Sequence, residues 1–358
     1  MATRRRVFIH EALSAPEETK KVSRSGYSPS DSRVLMNFSN AKEQFYQIDK
    51  HMLLPGTVID FSIFKQTGLQ FSLLLEASYT SPVTLSNEML LFFSGDSGSE
   101  ILIEKTATFR YQAYLNDLLA FSSSMPEDVK NARKSIAMKE NTKIVMNDFL
   151  DNATSSEKLN GVKEAVVSIV DLLCDNTAAI YDMLTLSKFD YYTYTHCVNV
   201  AVLSVGLGLA AGLSKAAVAD MGTGAMLHDV GKTTVSPLIL NKQGRLNAHE
   251  YKTMQGHVRQ GGAILREHDG ISETVFDAMF QHHEKLSGRG YPFKLRGHEI
   301  SLSGRICGIA DCYDALTTNR PYRTALTPYN ALDVISKDVG DYDADLLVDF
   351  VKMLGRIK

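Results

Sequence analysis

Eight of the ten histidines, at positions 196, 228, 249, 257, 268, 282, 283 and 298, lie between residues 196 and 298 of a chain of 358. Several sit on segments whose apolar positions recur three and four apart, the spacing of a helix face. A polar ring on an apolar helix face is costly unless it is hydrogen-bonded or bound to something. Imidazole is the commonest side-chain ligand for zinc, iron, manganese or nickel. Such a chain is constrained towards a helical bundle with a polar, metal-filled centre.

The individual positions support this. His228-Asp229 closes the apolar stretch Ala225 to Val230. A neighbouring His and Asp can point into one cleft, and the two oxygens of a carboxylate can bridge two metals. Lys232 follows four residues after His228, on the same face if the helix persists. His282-His283-Glu284 ends a second helical run, Glu273 to His283. His257 lies near Gly256 and Gly261-Gly262, and Asp311 and Asp314 lie three apart on the apolar run Ile306 to Leu316. Any one of these, alone, reads better as a structural hydrogen bond. Together, five histidines and two aspartates on separate apolar helices point to a shared centre. His249, His268 and His298 fall outside the pattern and are read as surface residues.

The rest of the chain sets the frame. Its length suits two domains of ordinary size. Residues 1–32 are polar and rich in Ser, Lys and Arg, a flexible tail. Residues 33–125 form a small β-rich, α+β regulatory domain. Its expected strands are Arg33–Phe38, Gly56–Phe61, Gln70–Leu75, Glu88–Phe93 and Glu100–Glu104, separated by turns such as Pro55-Gly56 and Gly95–Gly98. From Tyr111 the pattern is helical, over Tyr111–Phe121, Pro126–Asp151 and Ser156–Leu186. Residues 126–159 are expected as a helical linker and 160–358 as the metal-dependent domain, so the fold class is mainly α. Asn247 with Glu250 forms a capping pair, and Thr327-Pro328 an N-cap followed by proline.

Composition removes some classes of function. Net charge is −3 with a pI near 6.4, so nothing supports binding to long nucleic acid. The most apolar stretch, Val198–Leu213, is too short for a membrane span and reads as a core helix. Cys174, Cys197, Cys307 and Cys312 form no CxxC pair and no apolar leader precedes them, which fits reduced thiols in the cytoplasm.

The order His196, His228-Asp229-Val-Gly-Lys232, His257, His282-His283-Glu284, Gly288-Arg-Gly-Tyr-Pro292, Asp311-Cys-Tyr-Asp314 and Arg320-Pro-Tyr-Arg323 resembles the HD-GYP family of HD-domain phosphohydrolases. The likeness covers roughly residues 160–358. It implies an HD-type helical bundle that hydrolyses cyclic di-GMP with a bridging hydroxide. His196, His228, Asp229, His257, His282, His283 and Asp311 would be the metal ligands, with Asp229 bridging. Lys232 would contact the scissile phosphate, and Tyr291, Arg320 and Arg323 would hold the ligand. Two metals about 3.5–4 Å apart suit in-line displacement at a phosphodiester, and Arg forks suit phosphate and guanine edges.

Two departures matter. The family commonly has Asp-Gly before the Gly-Tyr-Pro turn, where this chain has Ser287-Gly288. Some members place a glutamate, supporting a third metal, where this chain has Tyr192. A phenol is a poor ligand at neutral pH, so a binuclear centre of iron or manganese is expected, with linear pGpG before GMP as product. The segments Asp49–Gly56 and Ile59–Phe64 resemble the small domain that precedes HD-GYP domains in some bacterial proteins, which implies a regulatory role or a homodimer or signalling partner. Two other readings stay open. One is a metal-containing cyclic di-GMP receptor with little turnover. The other is an HD enzyme for a different cyclic dinucleotide.

Overall fold

The computed structural model describes residues 34–35, 44–68, 70–94, 100–121, 126–185, 193–319 and 324–355. The expected tail 1–32, the turn Gly95–Gly98, Tyr192, Arg320 and Arg323 lie outside them. The fold is mainly α with a small β-containing part at the amino-terminal end. Contacts divide the chain into two compact units, residues 1–141 and 142–358.

The first unit is built on an antiparallel sheet. Its strands are β1 (Val34–Leu35), β2 (Phe45–Gln47), β4 (Ile63–Thr67), β5 (Gln70–Leu75) and β7 (Glu100–Glu104), in the order β1-β5-β4-β7-β2. A separate two-stranded pair joins β3 (Val58–Ile59) to β6 (Val83–Thr84). Phe64, Phe71 and Leu102 bury one face, with Phe45 stacked on Phe71 at 5.5 Å and edge-on to Phe64 at 4.8 Å. Burying a side chain of this size is worth about 1.5–3 kcal/mol. Helix α1 (Asn87–Ser94) follows β6, and α2 (Thr108–Phe121) follows β7.

Helix α1 corrects the sequence reading of Glu88–Phe93 as a strand. Ser86 caps it, its Oγ accepting from Met89 N at 3.2 Å. Its Met and Leu residues are good helix formers, and no β-branched residue opposes them. A short apolar run carries no period long enough to separate the two states.

Helix α3 (Glu127–Asp151) runs through the division at residue 141. The second unit continues with α4 (Ser156–Asp175), α5 (Ala179–Thr185), α6 (Thr193–Ala210), α7 (Lys215–Leu227), α8 (Pro237–Leu240), α9 (Ala248–Gln255), α10 (His257–Leu265), α11 (Glu273–Gln281), α12 (Leu302–Thr317), α13 (Pro328–Lys337) and α14 (Ala344–Gly355). The expected helix Ser156–Leu186 is broken at Asn176, whose extended backbone ends α4. The capping box at Asn247 and the Thr327-Pro328 start are both present.

Helix α6 packs against α4, α5, α7, α12 and α14. That central position explains why it is apolar nearly all round. Its composition would suit a membrane span, yet 83% of it is buried inside the unit. Its few polar residues, among them His196 and Asn199, are therefore buried too and need partners.

Candidate metal centre

Five chain segments deliver side chains to one point. Helix α6 presents His196 in its first turn. Helix α7 ends at Leu227, and His228 and Asp229 follow at its carboxyl end. The helix does not persist to Lys232. Asp229 leaves helical geometry at φ −102°, ψ 7°, and Val230–Thr234 forms a 3₁₀ turn. That turn still brings Lys232 Nζ onto Asp229 Oδ2. Helices α10 and α11 supply His257 at the start of one and His282-His283 just past the end of the other. Helix α12 carries Asp311 and Asp314.

Gly231 sets how closely the turn meets α10. A Cβ there would lie 1.9 Å from His257 O and 2.5 Å from Gly261 N. Both obstacles are backbone, so Gly231→Ala is expected to push α10 away. Overpacking of this kind costs about 1–3 kcal/mol, sometimes more. The variant should melt several degrees lower and lose metal, read by thermal unfolding and elemental analysis.

The ligand atoms converge. Within each of three groups, His257/His282/His283, His196/His228/Asp311 and His228/Asp229/His282, the candidate atoms lie within 4.8 Å of one another. Their union is the full set of residues expected as ligands. Ring orientation explains how. His228, His257 and His282 each direct Nδ1 at the carbonyl three residues back, Ala225 O at 2.7 Å, Met254 O at 2.6 Å and Met279 O at 2.5 Å. A carbonyl only accepts, so Nδ1 carries the proton and Nε2 keeps its lone pair. His196 Nδ1 is held in the same way by Asp314 Oδ2 at 2.6 Å. The Nε2 atoms face inward. His196 Nε2 and His228 Nε2 lie 3.3 Å apart, and Asp229 Oδ1 is 3.3 Å from His257 Nε2. Asp311 Oδ1 lies 3.1 Å from His196 Nε2, and its Oδ2 is 3.6 Å from His283 Nδ1.

Protonation follows from these surroundings. Burial pushes His282 well down, helped by neighbouring His283 and His228, and brings His283 to about 3 against the pull of Asp311. Burial would raise Asp229, but its neighbours His228 and Lys232 outweigh it and hold the carboxyl well below its usual range. Burial would likewise raise Asp311, which is held low above all by its hydrogen bond from His196. For His196 burial acts downwards, and the bonds to Asp311 and Asp314 overcome it and bring it to about 9. Neutral imidazoles and ionised carboxylates are the states that bind metal, so a metal at His196 has to displace the Nε2 proton that Asp311 favours.

The donor set passes a further test of fit. Asp229 Oδ1, His257 Nε2 and His282 Nε2 are buried without a hydrogen-bond partner. Each such atom costs roughly 1–3 kcal/mol. Three of them at one point are a substantial share of the ~5–15 kcal/mol that holds a domain together. A metal ion would satisfy all three, since two imidazole lone pairs beside a carboxylate oxygen are a metal-binding donor set.

Two groups escaped assignment from sequence. Asp314 is a positioning partner rather than a ligand. Its Oδ2 orients His196, and its Oδ1 accepts from Asn199 Nδ2 at 2.8 Å and Thr318 Oγ1 at 3.3 Å. A buried Asn on the apolar α6 was the available signal. Asp314→Ala is expected to weaken metal binding about 10–100-fold, the usual effect of removing such a partner, as titration with Mn²⁺ would show. Glu284 is the second. Its buried carboxylate accepts from Phe293 N at 2.6 Å, Lys294 N at 3.1 Å and Leu295 N at 3.0 Å, and so shapes the loop after α11.

That loop carries Tyr291, whose ring lies over His283 at 4.6 Å between centroids. Gly290 passes so close to His283 and Glu284 that a Cβ would meet backbone at 2.4–2.6 Å. His283 keeps 26% of its side chain exposed, so the Tyr291 side is the open rim. Of the surface histidines, His249 and His298 are exposed as expected. His268 is buried, a correction: its ring bonds Ala153 O at 2.8 Å and Ser156 Oγ at 3.2 Å, tying the end of α10 to the start of α4.

Comparison with known proteins agrees with this geometry. Residues 169–346 match the HD domain family. The chain is 31% identical over 210 residues to the cyclic di-GMP phosphodiesterase PA4108 of Pseudomonas aeruginosa, covering 59% of this chain and 49% of that protein. It is 32% identical to a cyclic di-GMP phosphodiesterase of Thermotoga maritima, covering 57% and 54%. It is 34% identical to the 3′3′-cGAMP-specific phosphodiesterase 2 of Vibrio cholerae, covering 52% and 36%. The chain thus spans about half the length of the first of these relatives. Among solved structures, the HDG"Y"P protein Bd1817 of Bdellovibrio bacteriovorus shares the fold with a TM-score of 0.67 at 20% identity, covering 87% of this chain and 99% of that one. Residues 169–346 of this chain thus match an HD domain.

Proposed function

We propose that the protein is a metal-dependent phosphodiesterase that hydrolyses cyclic di-GMP to linear pGpG. The convergence of inward-facing Nε2 atoms on Asp229 and Asp311, with three buried atoms unsatisfied, is the observation that carries this reading. His196, His228, Asp229, His257, His282, His283 and Asp311 would hold two metals, with Asp229 bridging. Mixed imidazole and carboxylate donors suit iron or manganese. When bound, the metals would supply Lewis-acid polarisation of the phosphate and a nucleophile from water at neutral pH.

The chain's own residues do the rest. Lys232, held by Asp229, places an ammonium for a non-bridging phosphate oxygen. Tyr291 has its phenol pushed well above its ordinary pKa by burial, so it stays protonated and can donate to the ligand. Arg320 and Arg323 would grip phosphate or guanine edges. The four cysteines are unpaired, which fits the reducing cytoplasm as the site of action. The first unit would serve regulation, through a homodimer or a signalling protein.

The names of the relatives favour one further reading, because both cyclic di-GMP and 3′3′-cGAMP enzymes are among them. Anaerobically purified protein loaded with Fe²⁺ or Mn²⁺, offered each dinucleotide in turn, decides between them. Preferential conversion of cyclic di-GMP with pGpG appearing first is expected. Turnover of 3′3′-cGAMP alone would move the substrate assignment. GMP from the outset without pGpG would overturn the product. Tight binding without any product would make the protein a receptor.

A further inference from the structure

The loop that carries Tyr291 is clamped from two sides. From within, Glu284 accepts from three backbone amides at its far end, and Tyr291 N donates to His283 O at 3.2 Å. From outside, the turn between α13 and α14 grips its near end. Leu286 N donates to Asp341 O at 3.1 Å, and Ser287 Oγ donates to Asp341 Oδ1 at 2.5 Å. Arg289 Nη2 reaches the same oxygen at 3.0 Å, and Arg289 Nε donates to Ser287 Oγ at 3.2 Å. The turn is itself fixed to α12, where Arg305 Nη1 donates to Asp343 Oδ2 at 2.6 Å. Lys285 Nζ donates to the Tyr342 hydroxyl and lies 3.8 Å from that ring's centre.

Resting on the function proposed above, we propose that Asp341 is a positioning residue for substrate binding: through Ser287 it holds the loop so that Tyr291 stays over His283. The weights favour the serine over the arginine. Arg289 is 72% exposed, and exposed ion pairs contribute little. Asp341 is only 13% exposed at its side chain, and a short hydroxyl-to-carboxylate bond is among the stronger kinds. Burial would raise the Asp341 carboxyl, but the bonds from Ser287 and Arg289 prevail and keep it low, hence charged at neutral pH. Glu284 adjoins a metal ligand in sequence, whereas Asp341 is more than fifty residues further on. The loop can therefore be loosened at Asp341 without touching the metal ligands.

This yields a charge test. Ser287→Asp sets two carboxylates face to face where a hydroxyl now donates. In the full-length, Mn²⁺-loaded protein it should raise KM for cyclic di-GMP about tenfold, or ~1.4 kcal/mol. Its kcat should stay within about twofold, and its metal content should not change. Amide hydrogen exchange over residues 286–293 should quicken. Adding Asp341→Asn removes one of the opposed charges, and should bring KM and exchange back towards the original values. Original KM and exchange in Ser287→Asp would overturn the proposal, as would a double variant no better than the single one. If the unaltered protein hydrolyses nothing, the phosphodiesterase reading fails, and the exchange rates of the three proteins still decide the role of Asp341.

Discussion

Asp229→Asn is expected to lose metal and turnover together while the fold stays intact. Asp229 is the residue on which the site turns. One oxygen meets Lys232 and lies 3.3 Å from His228 Nε2, and the other lies 3.3 Å from His257 Nε2. An amide keeps the shape but offers only one acceptor oxygen, and its NH₂ can donate to the His257 lone pair. That bond occupies a ligand atom and satisfies an orphaned one. With metal removed from both, the variant should therefore melt no lower than the parent. Outer partners of metal ligands are worth roughly 10–100-fold in affinity, so loss of a bridging ligand should exceed 100-fold. Turnover should fall by about a thousandfold or more, ~4 kcal/mol at 1.4 kcal/mol per decade. Elemental analysis, a thermal melt and product chromatography check the three parts. A variant that keeps both metal and activity would remove the site assignment as a whole.

Lys232→Met should separate chemistry from metal binding. Lys232 is no ligand, and its ammonium is argued to meet charge on the phosphate. Preorganised donors of this kind are worth about 10²–10³ in kcat. Methionine has similar length and no charge, so kcat should fall by that factor with metal content near that of the parent. KM should change less than kcat, because the charge matters most as it develops in the transition state. Unchanged kcat would show that the lysine serves only to neutralise Asp229. Loss of metal would show that it holds the site together.

The two substitutions bear on how much of the molecule could be read from sequence. The candidate ligands stood out because they are unusual where they stand: His228-Asp229 and His282-His283 each end an apolar helix, and Asp311 lies within one. Family resemblance then joined them, and the structure places them in three groups, linked through the shared His228 and His282, with candidate atoms within 4.8 Å inside each group. Local signals of helix starts, such as the Asn247 box and Thr327-Pro328, also held because they depend on residues three apart. What failed depends on distant partners or on too short a window. His268 read as a surface residue because its acceptor, Ala153, lies 115 positions away. Asp341 gave no sign of its role because Ser287 lies 54 residues before it. Glu88–Phe93 was too short for its period to oppose a strand reading, and the deciding cap at Ser86 was a single hydroxyl. Lys232 reached Asp229 by a 3₁₀ turn rather than by a continued helix, since Gly231 lets the chain press against α10.

The central claim is that these side chains form one two-metal centre. Counting metal ions per chain in anaerobically prepared, Mn²⁺- or Fe²⁺-reconstituted protein, beside the Asp229→Asn variant, tests it most directly. The account predicts about two ions per chain in the parent, as a bridged pair requires, and far fewer in the variant. A parent that holds no tightly bound metal, or a variant that holds as much as the parent, would contradict it.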